Sequence, residues 1–155
     1  MFKIRILLSG VVFALVANIS QAQDYSKYSE EALRKVLNEI AVVETKVLMP
    51  MRDGIGLSTD IYRPKDAEGP VPTIFVRTPY NMNELNIRSL RSVVEAVSRG
   101  YAYIMQNERG RYFSEGKFEI LGYPRTDGDD AMDWISEQGW SNDRVGTIGC
   151  SSTAE

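Results

Sequence analysis

The spacing of apolar residues predicts a helix close to the start of the chain. Four of them recur at intervals of three and four residues, which places them on one helical face: Leu33, Val36, Leu37 and Ile40. Ser29 is suited to cap this helix, and Glu30 and Glu31 would lie in its first turn, where negative charge is favoured. We therefore expect a lead-in helix within residues 23–41.

The next apolar segments predict an antiparallel hairpin. Residues 43–49 and 56–62 have the composition of strands. Between them lies Asp53-Gly54, a dipeptide typical of the tight turns that join hairpin strands. A connector rich in proline, glycine and charged residues, 64–72, separates this hairpin from the rest of the chain.

Beyond the connector, strands and helices alternate. Residues 73–76, 101–105 and 144–148 predict three further strands, and the first is apolar enough to be covered on both faces, as in a parallel sheet. A helix that would end near Gly100 carries an apolar stripe made of Leu90, Val93, Val94 and Val97. The alternation predicts an α/β fold in which parallel strands with right-handed crossover helices follow the hairpin.

A third helix is expected before the last strand. Asp129 and Asp130 are predicted in its first turn, since carboxylates stabilise the positive end of a helix. Ala131, Trp134 and Ile135 would form its buried stripe, and Gly139 would stop it.

Composition narrows the classes of function. The chain has 155 residues with 18 basic and 21 acidic ones and no basic cluster, which argues against a nucleic-acid partner. It contains no histidine, the usual proton shuttle near neutral pH, and one cysteine, Cys150. An internal disulfide and a cysteine-rich metal site are therefore excluded for this chain.

The first 22 residues resemble a secretory signal peptide. Lys3 and Arg5 precede an apolar run over residues 6–16, and Ser20 and Ala22 are small residues where signal peptidase requires them. A membrane anchor is the alternative, but the run is shorter than the roughly 20 residues of a spanning helix. We expect cleavage after Ala22, a secreted or periplasmic protein, and no stable membrane insertion afterwards.

The last predicted strand runs into Gly149-Cys150-Ser151, which fits the nucleophile elbow of α/β-hydrolases. Small neighbours are needed there because strand and helix backbones approach closely around a strained serine. Ser151 would project from the carboxyl end of the sheet, and the Ser152 amide would point toward a developing oxyanion.

Two other interpretations of this turn remain open. It could be an ordinary Gly/Ser turn that caps a helix, and Thr153 occupies the position where the common pattern has glycine. Cys150 could be a thiol nucleophile, but no base or cation is evident beside it. We expect Cys150 to be a small buried residue at the strand end.

Several blocks together resemble the cocaine esterase, α-amino-acid ester hydrolase and X-prolyl dipeptidyl peptidase family of serine α/β-hydrolases, which includes CocE/NonD-like enzymes. The resemblance covers about residues 43–155. It rests on residues 47–54, 60–64, Arg77-Thr78-Pro79-Tyr80, Arg109-Gly110-Arg111, Ser114-Glu115-Gly116, 127–134 and Trp140-Ser141.

The resemblance implies a role for individual residues. Ser151 matches the nucleophile, the Ser152 amide the first oxyanion donor, and the Tyr80 hydroxyl the second, although Tyr80 taken alone could be a packed loop residue. The blocks around Arg109 imply a salt-bridged scaffold loop. Asn107 replaces an acidic residue that often precedes this loop, so an ion pair is expected to be absent, and Ser152 stands where tyrosine is frequent.

These matches imply a hydrolase of ester or amide bonds that needs no metal or organic cofactor and acts on a small ester, amide or short peptide. The family's Asp and His would follow Ser151 in the chain. Residues 42–155 would then be the N-terminal half of the hydrolase sheet, without cap and C-terminal domains, and this chain alone would be inactive. X-Pro dipeptidyl-peptidase activity and a non-catalytic exported binding protein are the alternatives.

Overall fold

The computed structural model describes residues 23–120 and 124–151. The signal-peptide prediction for residues 1–22 and the predicted donor Ser152 lie outside these ranges. The helices and strands of the described residues are, in chain order, α1 (Glu30–Ile40), β1 (Ala41–Pro50), β2 (Gly56–Pro64), β3 (Val71–Thr78), α2 (Ile87–Ser98), β4 (Ala102–Asn107), α3 (Pro124–Ser136) and β5 (Ser141–Thr147).

The strands form one sheet in the order β1-β2-β4-β3-β5. The pairs β1–β2 and β2–β4 are antiparallel, whereas β4–β3 and β3–β5 are parallel. The predicted α/β arrangement of a hairpin followed by parallel strands with crossover helices is thus confirmed. The register pairs Thr78 with Asn107, so β3 and β4 end side by side, and their carboxyl ends lie at the same end of the sheet.

Helix α1 begins where its cap was predicted. The Ser29 hydroxyl accepts a hydrogen bond from the Ala32 amide at 3.2 Å. Leu33 and Leu37 are buried, while Arg34 pairs with Glu30 one turn earlier on the exposed side. The local signals therefore define both the start of this helix and the face that packs on the core.

The predicted hairpin turn forms with Gly54 at a φ of +86°. Strand β1 also contains an irregularity that the sequence pattern did not predict, between Glu44 and Val47. Lys46 has a φ of +58° there, and its backbone amide and its Nζ both donate to the buried Asp60 carboxylate, at 2.9 and 3.0 Å. A long-range partner on β2 thus stabilises a backbone conformation that local propensity disfavours.

Hydrophobic residues cover both faces of the sheet. Tyr103 and Met105 of β4 face a cluster that includes Leu90 and Val93 of α2. Ile104, between them in sequence, faces a second cluster with Ile135 of α3. Of the helices that the structure describes, none has the length and apolar character needed to cross a bilayer.

The predicted start of the third helix was wrong. Helix α3 begins at Pro124, so its first turn holds Asp127, and Asp129 and Asp130 follow later. Proline is well suited to the first helical position because its missing amide hydrogen would have no partner there. Asp130 instead accepts hydrogen bonds from the backbone amide and the guanidinium of Arg52, at 2.8 and 2.7 Å.

Candidate active site

The carboxyl ends of the parallel strands bring Tyr80 and Ser151 to the same end of the sheet. Tyr80 follows β3 by two residues, and Ser151 follows β5 by four. The backbone beyond β5 stays close to β3, since the Ile148 amide donates to the Phe75 carbonyl at 3.2 Å. In open α/β sheets this end is the usual place for a ligand site.

Ser151 has a left-handed backbone conformation, with a φ of +58°. Such a φ is uncommon for a residue with a side chain and is concentrated at functional sites, where surrounding structure holds the strain. Ser151 is also exposed. Ser151, four residues beyond β5, is therefore both strained and accessible.

The prediction that Cys150 is buried was wrong. Its side chain is exposed. Strand β5 pairs with β3 on one side only and lies at the edge of the described sheet, where most of its residues are half-buried or exposed. The burial of a strand end depends on what packs beside it, which the local sequence does not encode.

Tyr80 is held by its backbone and presents its ring to solvent. The side chain is 55% exposed, and the Tyr80 amide donates to the Thr78 hydroxyl at 3.1 Å. The Asn107 side-chain amide donates to the carbonyls of Thr78 and Tyr80, at 3.1 and 2.8 Å. Asn107, buried at the end of β4, thereby fixes the path of the chain into Tyr80.

The role of Asn107 was missed from the sequence, where it was noted only as a replacement for an acidic residue. Two backbone carbonyls face its amide nitrogen, and a carboxylate at this position would present acceptors to acceptors. A useful signal was its place at the end of an apolar strand, where polar side chains are often used to join adjacent strand ends.

The loop after β4 is tied together by charged and polar contacts, which agrees with the scaffold predicted for it. The guanidinium of Arg109, 14% exposed, binds both oxygens of Asp127 at 2.6 and 3.1 Å and one of Asp53 at 2.6 Å. The Ser114 hydroxyl accepts from the Ser58 amide and donates to the Asn107 carbonyl, both at 2.8 Å. The loop therefore joins the hairpin turn, β4 and α3.

These contacts favour the charged forms of Arg109 and Asp53. The hydrogen bond to Asp127, the largest cause, and the hydrogen bond to Asp53 raise the pKa of the Arg109 guanidinium, which stays charged. Arg109 in turn lowers the pKa of the exposed Asp53. A carboxyl whose pKa is lowered by folding stabilises the fold above its usual pKa, and that contribution is lost as the pH falls through the lowered value.

Removing the buried partner of Arg109 should destabilise the protein. We expect Asp127→Asn to lower the free energy of unfolding by about 2–3 kcal/mol, because the Arg109 guanidinium, 14% exposed, loses the charge of its buried carboxylate partner. Asp53→Asn is the matched control and should change stability little, since Asp53 is 49% exposed. Urea unfolding followed by tryptophan fluorescence measures both. Equal losses of unfolding free energy in the two variants would contradict a larger contribution from the buried partner, Asp127.

Two clefts lie elsewhere on the described surface. One of about 470 Å³ is lined by the connector between β2 and β3, and one of about 410 Å³ by α2, Tyr101 and Ile148. Neither is lined by Tyr80 or Ser151. Tyr80 and Ser151 are themselves exposed residues.

Comparison with known proteins identifies the family. Residues 53–155 match the family model described as X-Pro dipeptidyl-peptidase (S15 family). The chain belongs to this S15 family. The chain is also 42% identical, over 111 residues, to the cocaine esterase of Rhodococcus sp. (strain MB1 Bresler). This alignment covers 70% of the chain and 19% of that esterase. The chain thus spans about a fifth of the length of this relative.

Solved structures of other hydrolases agree with the S15 assignment. An aminopeptidase from a marine sediment Thaumarchaeota archaeon is 32% identical with a TM-score of 0.60, covering 72% of the chain and 21% of that protein. An α-amino acid ester hydrolase is 27% identical with a TM-score of 0.61, covering 90% of the chain and 25% of that enzyme. The described sheet is the N-terminal part of the CocE/NonD α/β-hydrolase fold.

Proposed function

We propose that this protein is a serine hydrolase of ester or amide bonds, with Ser151 as its nucleophile. The observation that carries the proposal is the left-handed φ of Ser151, which is exposed just after β5 at the carboxyl end of the parallel strands. Membership in a family whose named relatives are esterases and peptidases supports the reaction class.

The proposed oxyanion donors are the Tyr80 hydroxyl and the Ser152 amide. Tyr80 leaves β3 at the same end of the sheet, with its backbone fixed by Asn107 and its side chain accessible. Ser152 follows the nucleophile directly, and in an elbow the amide after the serine points toward the oxyanion. Two preorganised donors would stabilise the negative charge that develops on the carbonyl oxygen.

In this proposal the Ser151 hydroxyl attacks the substrate carbonyl and forms a tetrahedral oxyanion. A histidine base, oriented by an aspartate, takes the serine proton and gives it to the leaving alcohol or amine. Water then attacks the acyl-enzyme, and the histidine takes a proton from this water and gives it to the Ser151 oxygen as the acid is released. Both partners would come from sequence after Ser151, as in other α/β-hydrolases, and no metal or organic cofactor takes part.

An active-serine probe tests the proposal. A fluorophosphonate should label the full-length protein with one equivalent, and peptide mapping by mass spectrometry should locate the adduct on Ser151. An adduct on Cys150 would favour a thiol nucleophile instead. A folded full-length protein that takes up no probe would favour the alternative of a non-catalytic exported binding protein.

Residues 1–155 alone should react poorly with the same probe. This segment contains no histidine, and a serine hydroxyl without a base is a weak nucleophile at neutral pH. We expect labelling at least about 10³-fold slower than in the full-length protein. Circular dichroism should accompany the measurement to show that the segment is folded. Rapid stoichiometric labelling of the folded segment at Ser151 would disprove this expectation.

The family offers two substrate classes. The cocaine esterase relative favours ester hydrolysis, and the description of the S15 family favours cleavage after X-Pro. A panel of para-nitrophenyl esters and X-Pro-anilides, assayed with the full-length protein, would separate them. Hydrolysis of the X-Pro-anilides would support the peptidase class, and hydrolysis of the esters alone would support the esterase class.

We also propose that the protein is exported. The basic, apolar and small-residue pattern of residues 1–22 supports cleavage after Ala22. N-terminal sequencing of the protein purified from its own cells should then begin at Gln23. Recovery of the intact N-terminus from a cytoplasmic fraction would contradict this.

A further inference from the structure

Arg111 lies beside Tyr80 and is held in a fixed position. Its Nε donates to the carbonyl of Pro79, the residue before Tyr80, at 2.9 Å. The centre of its guanidinium is 4.7 Å from the centroid of the Phe118 ring and 5.5 Å from that of Tyr112. One hydrogen bond and two cation–π contacts therefore orient this side chain at the end of the sheet where the proposed reaction takes place.

The backbone that carries Arg111 is specified in detail. Gly110 has a φ of +67°, and a Cβ there would collide with the backbone of Phe118 and Lys117. Tyr112, on the other side of Arg111, also has a positive φ, +52°. The Ser114 amide donates to the Arg111 carbonyl at 2.9 Å and closes the turn. A glycine that no other residue can replace on one side and a strained tyrosine on the other indicate that the position of Arg111 is closely specified.

Arg111 differs from its neighbour Arg109 in its charge partners. Arg109 binds the carboxylates of Asp127 and Asp53. Across the described ranges 23–120 and 124–151, Arg111 forms no ion pair, and its contacts are the Pro79 carbonyl and two rings. Its guanidinium therefore keeps donors directed away from Nε for another acceptor, in the fork geometry that matches a carboxylate.

We propose that Arg111 is a specificity-determining residue that binds a carboxylate of the substrate next to the reacting carbonyl. This inference rests on the proposed hydrolase function. It names the substrate class as esters or amides that carry a free carboxylate. Examples are a monoester of a dicarboxylic acid and a short peptide with a free C-terminal carboxylate. The exposed rings of Tyr112 and Phe113, 47% and 60% exposed, supply apolar surface beside the charge.

The test compares two esters of equal chain length that differ in charge. Mono-para-nitrophenyl adipate carries the carboxylate, and para-nitrophenyl hexanoate lacks it. In the full-length protein, Arg111→Met should lower kcat/KM for the adipate ester by about 10- to 100-fold, mainly through KM. The hexanoate ester should change by less than about 3-fold, and Arg111→Lys should restore part of the preference because it keeps the charge.

Several outcomes would overturn the inference. Equal losses with both esters would mean that Arg111 only supports the backbone of Tyr80, and unchanged kinetics with both would mean that it has no part in the site. A wild-type protein that hydrolyses the hexanoate but rejects the adipate ester also contradicts it. If the wild type hydrolyses neither ester and takes up no fluorophosphonate, the proposed function itself fails, and this inference fails with it.

Discussion

Replacing Ser151 with alanine is expected to lower kcat/KM of the full-length protein by about 10⁴- to 10⁶-fold on any ester or amide that it hydrolyses. Alanine removes only the hydroxyl oxygen. Without it no acyl-enzyme can form, and the catalysis that remains would come from the oxyanion donors and binding alone. Steady-state assays with the variant at high concentration but below that of the substrate, and active-site titration of the wild type, cover this range.

The adjacent thiol provides the control for this experiment. Cys150→Ala removes the neighbouring nucleophile from the same exposed turn and should leave kcat/KM within about 3-fold of wild type. The opposite pattern, with Cys150→Ala inactive and Ser151→Ala active, would assign the chemistry to the thiol. Thermal melting of both variants should match wild type, because Ser151 is exposed and its loss removes no buried contact.

The elements of the fold were predictable where one local signal determines the structure. The cap at Ser29, the Asp-Gly turn and the helix predicted to end near Gly100, which ends at Ser98, depend on residues within one or two turns of each other. The buried face of α3 was found in the same way, through Ala131 and Ile135. Its start was missed because Pro124 lies outside the apolar stripe on which the prediction was based.

The contacts that build the site were harder to predict because they join distant residues. Arg109 binds Asp53, which was interpreted only as a turn residue of the hairpin. Asn107 reaches the carbonyl of Tyr80 across two strand ends. Such pairs depend on the strand order, which places β4 between β2 and β3, and no periodicity within a segment encodes that order.

Residues with a positive φ likewise divide into those that a local signal predicts and those that a distant partner determines. Glycines with positive φ at 54 and 100 stand where turns and helix ends require them, and the sequence indicated both. Tyr112 and Lys46 adopt positive φ without any local preference for it, and for Lys46 the distant Asp60 holds the conformation. The strain at Ser151 was predicted from the elbow-like turn after the last strand, whereas its role as a nucleophile came from the resemblance to a known family.

Replacing Tyr80 with phenylalanine is expected to lower kcat/KM by about 10²- to 10³-fold, the effect of removing one oxyanion donor. The ring, its exposure and the backbone contacts to Thr78 and Asn107 do not involve the hydroxyl, so the variant should fold and melt as wild type does. A hydroxyl that donates to the oxyanion binds more strongly in the transition state than to the substrate carbonyl. The loss should therefore appear in kcat, with KM changed by less than about 3-fold.

A second exposed tyrosine distinguishes this role from a general effect of losing a phenol. Tyr101 precedes β4 at the opposite end of the sheet and is 39% exposed, so Tyr101→Phe should leave both kcat and KM within about 2-fold of wild type. Full activity of Tyr80→Phe would remove Tyr80 from the oxyanion hole and leave the alternative of a loop residue packed beside the site. A rise in KM at constant kcat would instead assign Tyr80 to substrate binding, because a contact made equally in the ground state and the transition state changes KM alone.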